Sequence, residues 1–269
     1  MEEFSESTLR KELHTGWLGQ NEALRFYKTI DSTNEEAKRF FEKEGKGGIL
    51  FLADSQTAGK GRRGRAWQSP PSTTIAMSYL LTPDFMADIA PMLTLLMAVS
   101  AAKGIRQVSG VEVKIKWPND LVINGKKISG ILTEMSAEKN KIRYCIIGTG
   151  INVSVRDFPE EIKATASSLY IETGKEFSRT EIVARIAEAF EDYYKIFCTD
   201  GNLSAFKDEY NAICVNVNRK VRVLDPKGEY EAMANGINDT GELIVEKDNG
   251  ELIRVYAGEV SVRGIYGYI

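Results

Sequence analysis

The stretch Gln56-Thr57-Ala58-Gly59-Lys60-Gly61-Arg62-Arg63-Gly64-Arg65-Ala66-Trp67 lies between two strand-like apolar runs, Ile49 to Ala53 and Thr73 to Leu81. It belongs to a segment dense in Gly, Arg, Ser and Pro, Asp54 to Ser72, which reads as a long loop of the kind that is functional or disordered in compact domains. Its three glycines free the backbone and expose N–H groups that can wrap an anion. Lys60, Arg62, Arg63 and Arg65 repel one another, so the loop is expected to order around something negative, with the Trp67 ring at its end. It is not a P-loop, because Gly59-Lys60 is followed by Gly61 rather than Ser or Thr, and the upstream glycine is missing. A solvated basic turn or a nonspecific RNA-contact patch is the plain alternative.

Working outward, Ala23 to Ile30 reads as a strand, and Ser32-Thr33-Asn34-Glu35 has the capping-box pattern that opens a helix to about Glu44. Phe85 to Val108 reads as a long buried helix. Val111 to Lys116 and Leu121 to Ile123 read as strands joined by Trp117-Pro118-Asn119-Asp120. Asn124-Gly125 predicts a type I′ hairpin turn, since both central residues need positive φ. Ile128 to Met135 and Ile142 to Val153 extend the sheet, Arg179 to Phe197 has helical apolar spacing, and Leu203 to Ala212 adds another helix. After Asn216 the pattern changes. Lys220–Val223, Tyr230–Ile237, Glu242–Val245, Glu251–Tyr256 and Val260–Arg263 alternate with Gly, Asp-Pro and Asp-Asn-Gly turns, which suggests a small β-barrel. The expected class is α+β: a main domain over residues 1–215 and an all-β module over 216–269.

Composition narrows the chemistry. In 269 residues, 35 Lys plus Arg face 38 Asp plus Glu, a net charge of −3, so a surface built wholly for nucleic acid is excluded and any basic site is local. With His14 the only histidine, Ser-His-Asp triads and multi-histidine metal sites have nothing to draw on. Cys145, Cys198 and Cys214 are far apart and odd in number, which fits a reducing compartment rather than a disulfide framework. The acidic start lacks signal-peptide character, and Pro91 to Ile105 reads as too short and interrupted to cross a bilayer. A cytoplasmic protein without a membrane partner is expected.

Four further segments carry chemistry. Lys116-Trp117-Pro118-Asn119-Asp120-Leu121 puts an amide and a carboxylate on a rigid turn, which can hold magnesium (Mg2+) beside phosphates or serve only as a turn. Lys127 follows the Asn-Gly hairpin and leads into Gly130-Ile131-Leu132, where a lone lysine is ordinarily solvated. Gly148-Thr149-Gly150-Ile151-Asn152-Val153 reads as a strand with glycines for close ligand approach, or as a bulge. Asp31-Ser32-Thr33-Asn34 reads as a helix cap.

Together these motifs resemble the biotin–protein ligases from about Phe26 to the end of the chain. Gly59-Lys60-Gly61-Arg62-Arg63-Gly64-Arg65 is similar to that family's G-R-G-R-R-G-R, and Lys116 to Leu121 matches its K-W-P-N-D-L. The resemblance implies a central mixed β-sheet flanked by helices, then a small SH3-like β-barrel. It implies ATP-dependent joining of biotin to a lysine of a biotin carboxyl carrier domain by way of biotinyl-5′-adenylate. By the same carry-over, Ser32, Thr33, Asn34 and Gln56 bind the ureido head of biotin. Lys60, Gly61 and Arg62 close over biotin, with Arg62 restraining the adenylate, while Lys127 meets the carboxylate. Arg65 faces the phosphates and Trp67 packs near the adenine. Asn119, Asp120 and Asn152 handle the nucleotide and Asp120 the metal, Asp120 also steering the incoming amine.

There are departures from the family pattern. Lys60 replaces the common arginine and cannot fork onto an anion, and Ala76 stands where some relatives carry an aromatic residue. Some relatives bear an N-terminal winged-helix domain; roughly twenty residues cannot supply one, so a ligase without a DNA partner is expected. The resemblance admits a homodimer joined edge to edge through the main sheet. A lipoate or octanoate ligase of the same fold, and an RNA binder using the Arg/Gly loop with Trp67 as a stacking platform, are the alternatives.

Overall fold

The computed structural model describes residues 3–225, 228–257, 261–264 and 268–269. Seven strands form a mixed sheet: β1 (Leu24–Ile30), β2 (Ile49–Gln56), β3 (Thr74–Leu81), β4 (Lys114–Lys116), β5 (Asp120–Ile123), β6 (Lys126–Glu138) and β7 (Lys141–Asn152). Their order is β1-β2-β3-β7-β6-β5-β4, with β1 parallel to β2 and every other pair antiparallel. The predicted type I′ turn forms, with φ of 49° at Asn124 and 81° at Gly125. A second turn of this kind, Lys139-Asn140, joins β6 to β7 with φ of 49° and 64°.

Helices cover the sheet because its strands are apolar on both faces. On one face lie α3 (Met92–Ser109) and α6 (Arg179–Asp200), separated in the chain by the short helices α4 (Glu160–Lys163) and α5 (Leu169–Thr173); α3 and α6 bury Leu96, Val99, Ile105, Ile186 and Phe190 against Leu52, Met77, Tyr79 and Ile147. On the other lies α2 (Thr33–Glu44), whose Ala37 and Phe41 cover Phe51, Leu80 and Ile146. The predicted helix from Phe85 is divided: Ala87–Ile89 is a 3₁₀ turn, and Pro91 starts α3 proper. Contrary to the sequence reading, the 23 residues Ala87–Ser109 are long and apolar enough to cross a membrane, but 78% of their most apolar window is buried inside the protein.

Residues 3–18 contribute to the core. Short helix α1 (Glu6–Glu12) and its flanks bury Phe4, Leu9, Leu13 and Leu18. The chain then turns around a carboxylate from α6. Glu191 Oε1 accepts the Gly16 N–H (2.7 Å), and Oε2 accepts those of Trp17 and Leu18 (both 3.1 Å).

Beyond α7 (Lys207–Ile213) a second sheet forms from β8 (Arg219–Asp225), β9 (Gly228–Ile237), β10 (Leu243–Glu246), β11 (Leu252–Val255) and β12 (Ser261–Gly264). It is antiparallel, in the order β11-β10-β9-β8-β12. The five predicted strands are present as one antiparallel sheet, and among the described residues no pairing joins β11 to β12. Pro226 of the predicted Asp-Pro turn, and Val260, lie outside the described residues.

Burial alone would raise the Glu191 carboxyl; the three backbone N–H groups and Lys195 outweigh it and hold it below the usual range. A depressed folded-state value means that its stabilisation is present above the unfolded value, about 4.3, and is lost as pH falls through the folded one. Glu191→Ala is expected to cost about 3 kcal/mol in urea unfolding. Glu191→Gln should flatten the fall in stability below about pH 4.5. A Glu191→Ala protein as stable as wild type would contradict this role.

Candidate active site

One cross-strand row defines the site face of the main sheet. Ala53 pairs with Ala76, Ala76 with Gly150, Gly150 with Gly130, and Gly130 with Asp120. Residues directly opposite one another point to the same face, so five strands present almost no side chain until the carboxylate. The backbone there is open to close approach. A Cβ on Gly150 would lie 2.3 Å from the Trp67 ring, and one on Gly148 would lie 2.2 Å from Asn34 Oδ1. Trp67 therefore rests on Gly150, and Asn34 on Gly148.

At the Asn34 end the site is polar, and the Glu134 carboxylate there is paired with Lys38 at 2.8 Å. Ser32 is the N-cap residue of α2, but its side chain makes no capping bond, so the predicted capping box does not form. Gln56 supplies the cap from β2: its Oε1 accepts from the Thr33 N–H (2.8 Å) and hydroxyl (3.1 Å). Ser78 Oγ donates to Asn34 Oδ1 (2.6 Å) and lies 2.7 Å from Thr33 Oγ1, while Asn34 Nδ2 donates to Glu134 (2.7 Å). Ser32, Thr33, Asn34 and Gln56 are thus brought together. Ser78 and Glu134, which sequence reasoning missed, complete the group; neither lies in a motif.

The other end is charged. Asp120 Oδ1 forms a close ion pair with Lys127 Nζ at 2.5 Å, and Oδ2 accepts the Tyr268 hydroxyl at 2.6 Å. Burial would raise the Asp120 carboxyl, but Lys127, Lys116 and the Tyr268 hydroxyl hold it below its ordinary value. Lys116, 5% exposed, donates to the Val262 carbonyl (3.0 Å), and its amine is lowered to about 8, chiefly by burial and against the pull of Asp120. Sequence reasoning gave Lys116 no role of its own. The signal was there: it heads the Lys-Trp-Pro-Asn-Asp turn and pairs directly with Asp120 across β4 and β5.

The Gly/Arg loop bridges the two ends. It is a hairpin, closed by Trp67 N–H to Gly59 O (2.9 Å) and Gly61 N–H to Arg65 O (2.7 Å), with Arg62–Gly64 as its 3₁₀ tip. Arg62 donates to Asn119 Oδ1 and to the Ala257 carbonyl, both at 2.8 Å. Burial, followed by the neighbouring arginines, depresses its pKa although Asp120 opposes this. Lys60 points away from this cluster and pairs with Glu35 of α2 at 2.7 Å. Asn119 is fixed by Nδ2 to Ile131 O, and Asn152 by Nδ2 to Ser167 O, both at 3.0 Å.

A cavity of about 420 Å³ lies beside the charged end, walled by Arg65, Trp67, Asp120, Lys127, Asn152 and Phe158 among others. Asn119 lines an adjoining cavity of about 140 Å³ with Arg62, Lys116 and Tyr268. The residues expected to meet the nucleotide are therefore adjacent, and those expected to meet the ureido head form a separate group. The Trp67 ring lies on the glycines between them. Its Nε1 is buried and has no hydrogen-bond partner among the described residues.

The model of the Biotin/lipoate A/B protein ligase family matches residues 26–152, and that of the Biotin protein ligase C terminal domain matches residues 217–263. The bifunctional ligase/repressor BirA of Bacillus subtilis is 36% identical over 260 residues, covering 96% of this chain and 79% of the relative. The biotin–[acetyl-CoA-carboxylase] ligase of Paracoccus denitrificans is 29% identical over 87% of this chain and 98% of its own. The structure of the Aquifex aeolicus biotin protein ligase in complex with biotin and ATP superimposes with a TM-score of 0.78 at 30% identity, covering 91% of this chain and 100% of that one. The chain belongs to the biotin protein ligase family.

Gly150→Ala tests the row directly, because the added methyl displaces Trp67. Its emission should shift to the red, and the shift should be absent in Trp67→Phe/Gly150→Ala. Identical spectra for Gly150→Ala and wild type would show that Trp67 does not rest there.

Proposed function

We propose that this chain joins biotin to one lysine of a biotin carboxyl carrier domain, cleaving ATP to AMP and pyrophosphate through biotinyl-5′-adenylate. The observation that carries the reading is the convergence of Arg62, Lys116 and Lys127 around Asp120, at the end of a row of small residues. The first step brings one anion onto another: a carboxylate oxygen bonds the α-phosphorus as its bond to the pyrophosphate oxygen breaks. At 4 Å two unit charges repel by about 4 kcal/mol at an effective dielectric near 20, and positioned cations offset this.

In this reading the neutral group of Ser32, Thr33, Asn34 and Gln56 takes the ureido head, whose donors and acceptors need uncharged partners. Lys127 exchanges Asp120 for the biotin carboxylate, while Arg62 and the Gly61 backbone of the same hairpin close over the adenylate. Arg65, Trp67, Asn119, Asp120 and Asn152 hold the nucleotide. Magnesium, when bound, neutralises phosphate charge. Among the described residues no three His, Cys, Asp or Glu groups converge as a cage. Asp120 beside Asn119 nevertheless fits an ion that shares one carboxylate with substrate phosphates. In the second step the carrier amine nitrogen bonds the acyl carbon and AMP leaves, the amine proton passing to Asp120 or solvent. A lysine amine is almost fully protonated at pH 7, so a carboxylate that attracts it and takes its proton serves the step.

The test is biotin-dependent ATP–pyrophosphate exchange, with lipoate and octanoate as parallel acids. Exchange with biotin alone is expected; exchange with lipoate or octanoate but not biotin would overturn the reading. Arg62→Gly loses the Asn119 and Ala257 bonds and should release the adenylate at least about tenfold faster, since two bonds of about 1 kcal/mol or more each are removed. Release at the wild-type rate would deny Arg62 its restraining role.

A further inference from the structure

Tyr268 follows β12 in the chain, lies in no motif that the sequence reading singled out, and lines both cavities. Its hydroxyl holds Asp120 Oδ2 at 2.6 Å while Lys127 holds Oδ1. Its ring centroid lies 4.4 Å from Lys116 Nζ, the cation–π distance at which a buried ammonium is kept in place. A carboxylate turns easily about its last torsion. Flanked by Lys116 and Lys127 alone, Asp120 could swing to share both oxygens between the two ammonium groups.

Building on the ligase reading, we propose that Tyr268 is a positioning residue of the adenylation site. It fixes one oxygen of Asp120 so that the other, released when Lys127 turns to the acid, is presented to the nucleotide. The hydroxyl acts through Asp120, and the ring keeps Lys116 aimed at the Val262 carbonyl. The C-terminal part of the chain thereby contributes a side chain to the reaction centre, not only a covering surface.

Tyr268→Phe in the full chain removes the hydroxyl and keeps the ring. Calorimetry with the non-cleavable analogue α,β-methylene-ATP and magnesium should show binding weakened about tenfold, the scale of one hydrogen bond to a charged group. Biotin affinity and melting temperature should stay at wild-type values, and KM for ATP should rise with kcat nearly unchanged. In an Asp120→Asn background the same substitution should change nucleotide affinity less than about twofold, because its target is gone. Unchanged or tighter nucleotide binding in Tyr268→Phe would overturn the proposal. So would an equal loss of biotin affinity and stability, or a full tenfold effect in the Asp120→Asn background. A wild-type chain that binds neither biotin nor the analogue would instead contradict the ligase reading itself.

Discussion

The molecule is organised around the backbone row Ala53, Ala76, Gly150, Gly130 and Asp120, where four adjacent strands carry only alanine or glycine, so that something can lie directly on the sheet, and the fifth carries the carboxylate. A sheet that forgoes side-chain packing on one face loses hydrophobic stabilisation there. The loss is offset on the opposite face, where α3 and α6 bury an unbroken apolar layer, and at the margins, where α2 covers Phe51, Leu80 and Ile146. The row runs into a carboxylate, and around that carboxylate the protein gathers its cations. Buried charges are tolerated only when paired and hydrogen-bonded. Asp120, Lys127, Lys116 and Arg62 satisfy this jointly, so removing any one leaves another exposed to the desolvation cost.

The second sheet belongs to this arrangement. Arg62 bonds the carbonyl of Ala257, Lys116 that of Val262, and the Trp117 indole that of Gly241 at 3.1 Å. Three residues from the two strongest sequence motifs thus end on backbone acceptors of the C-terminal part. These acceptors are neutral, so they orient the cations without cancelling their charge, which leaves that charge available for an acid and a phosphate.

Much of this was legible in the sequence where the signal is local. Asn124-Gly125 announced its turn through the positive φ that both residues need, and the glycine–arginine loop and the Lys116–Leu121 turn announced the charged end. Other parts depend on contacts between distant residues. Ser32 has the sequence of a capping residue, yet Gln56, on the next strand, caps the helix instead. Glu191 organises a turn some 175 residues earlier in the chain. Tyr268 reaches Asp120 across 148 residues. Lys60, read as a clasp on the carboxylate, is held by Glu35, a partner that only the relative placement of hairpin and helix reveals. Composition and periodicity carry no trace of such pairings, because each is decided by where two elements come to rest.

In the proposed reaction acid and nucleotide meet on this row and leave as a mixed anhydride. A single turnover with α-labelled ATP, magnesium and biotin, quenched in acid and separated, examines that chemistry itself. The prediction is labelled biotinyl-5′-adenylate, formed in proportion to protein and converted to AMP when a carrier domain is added. Labelled ADP, or AMP released without that intermediate, would contradict the claim.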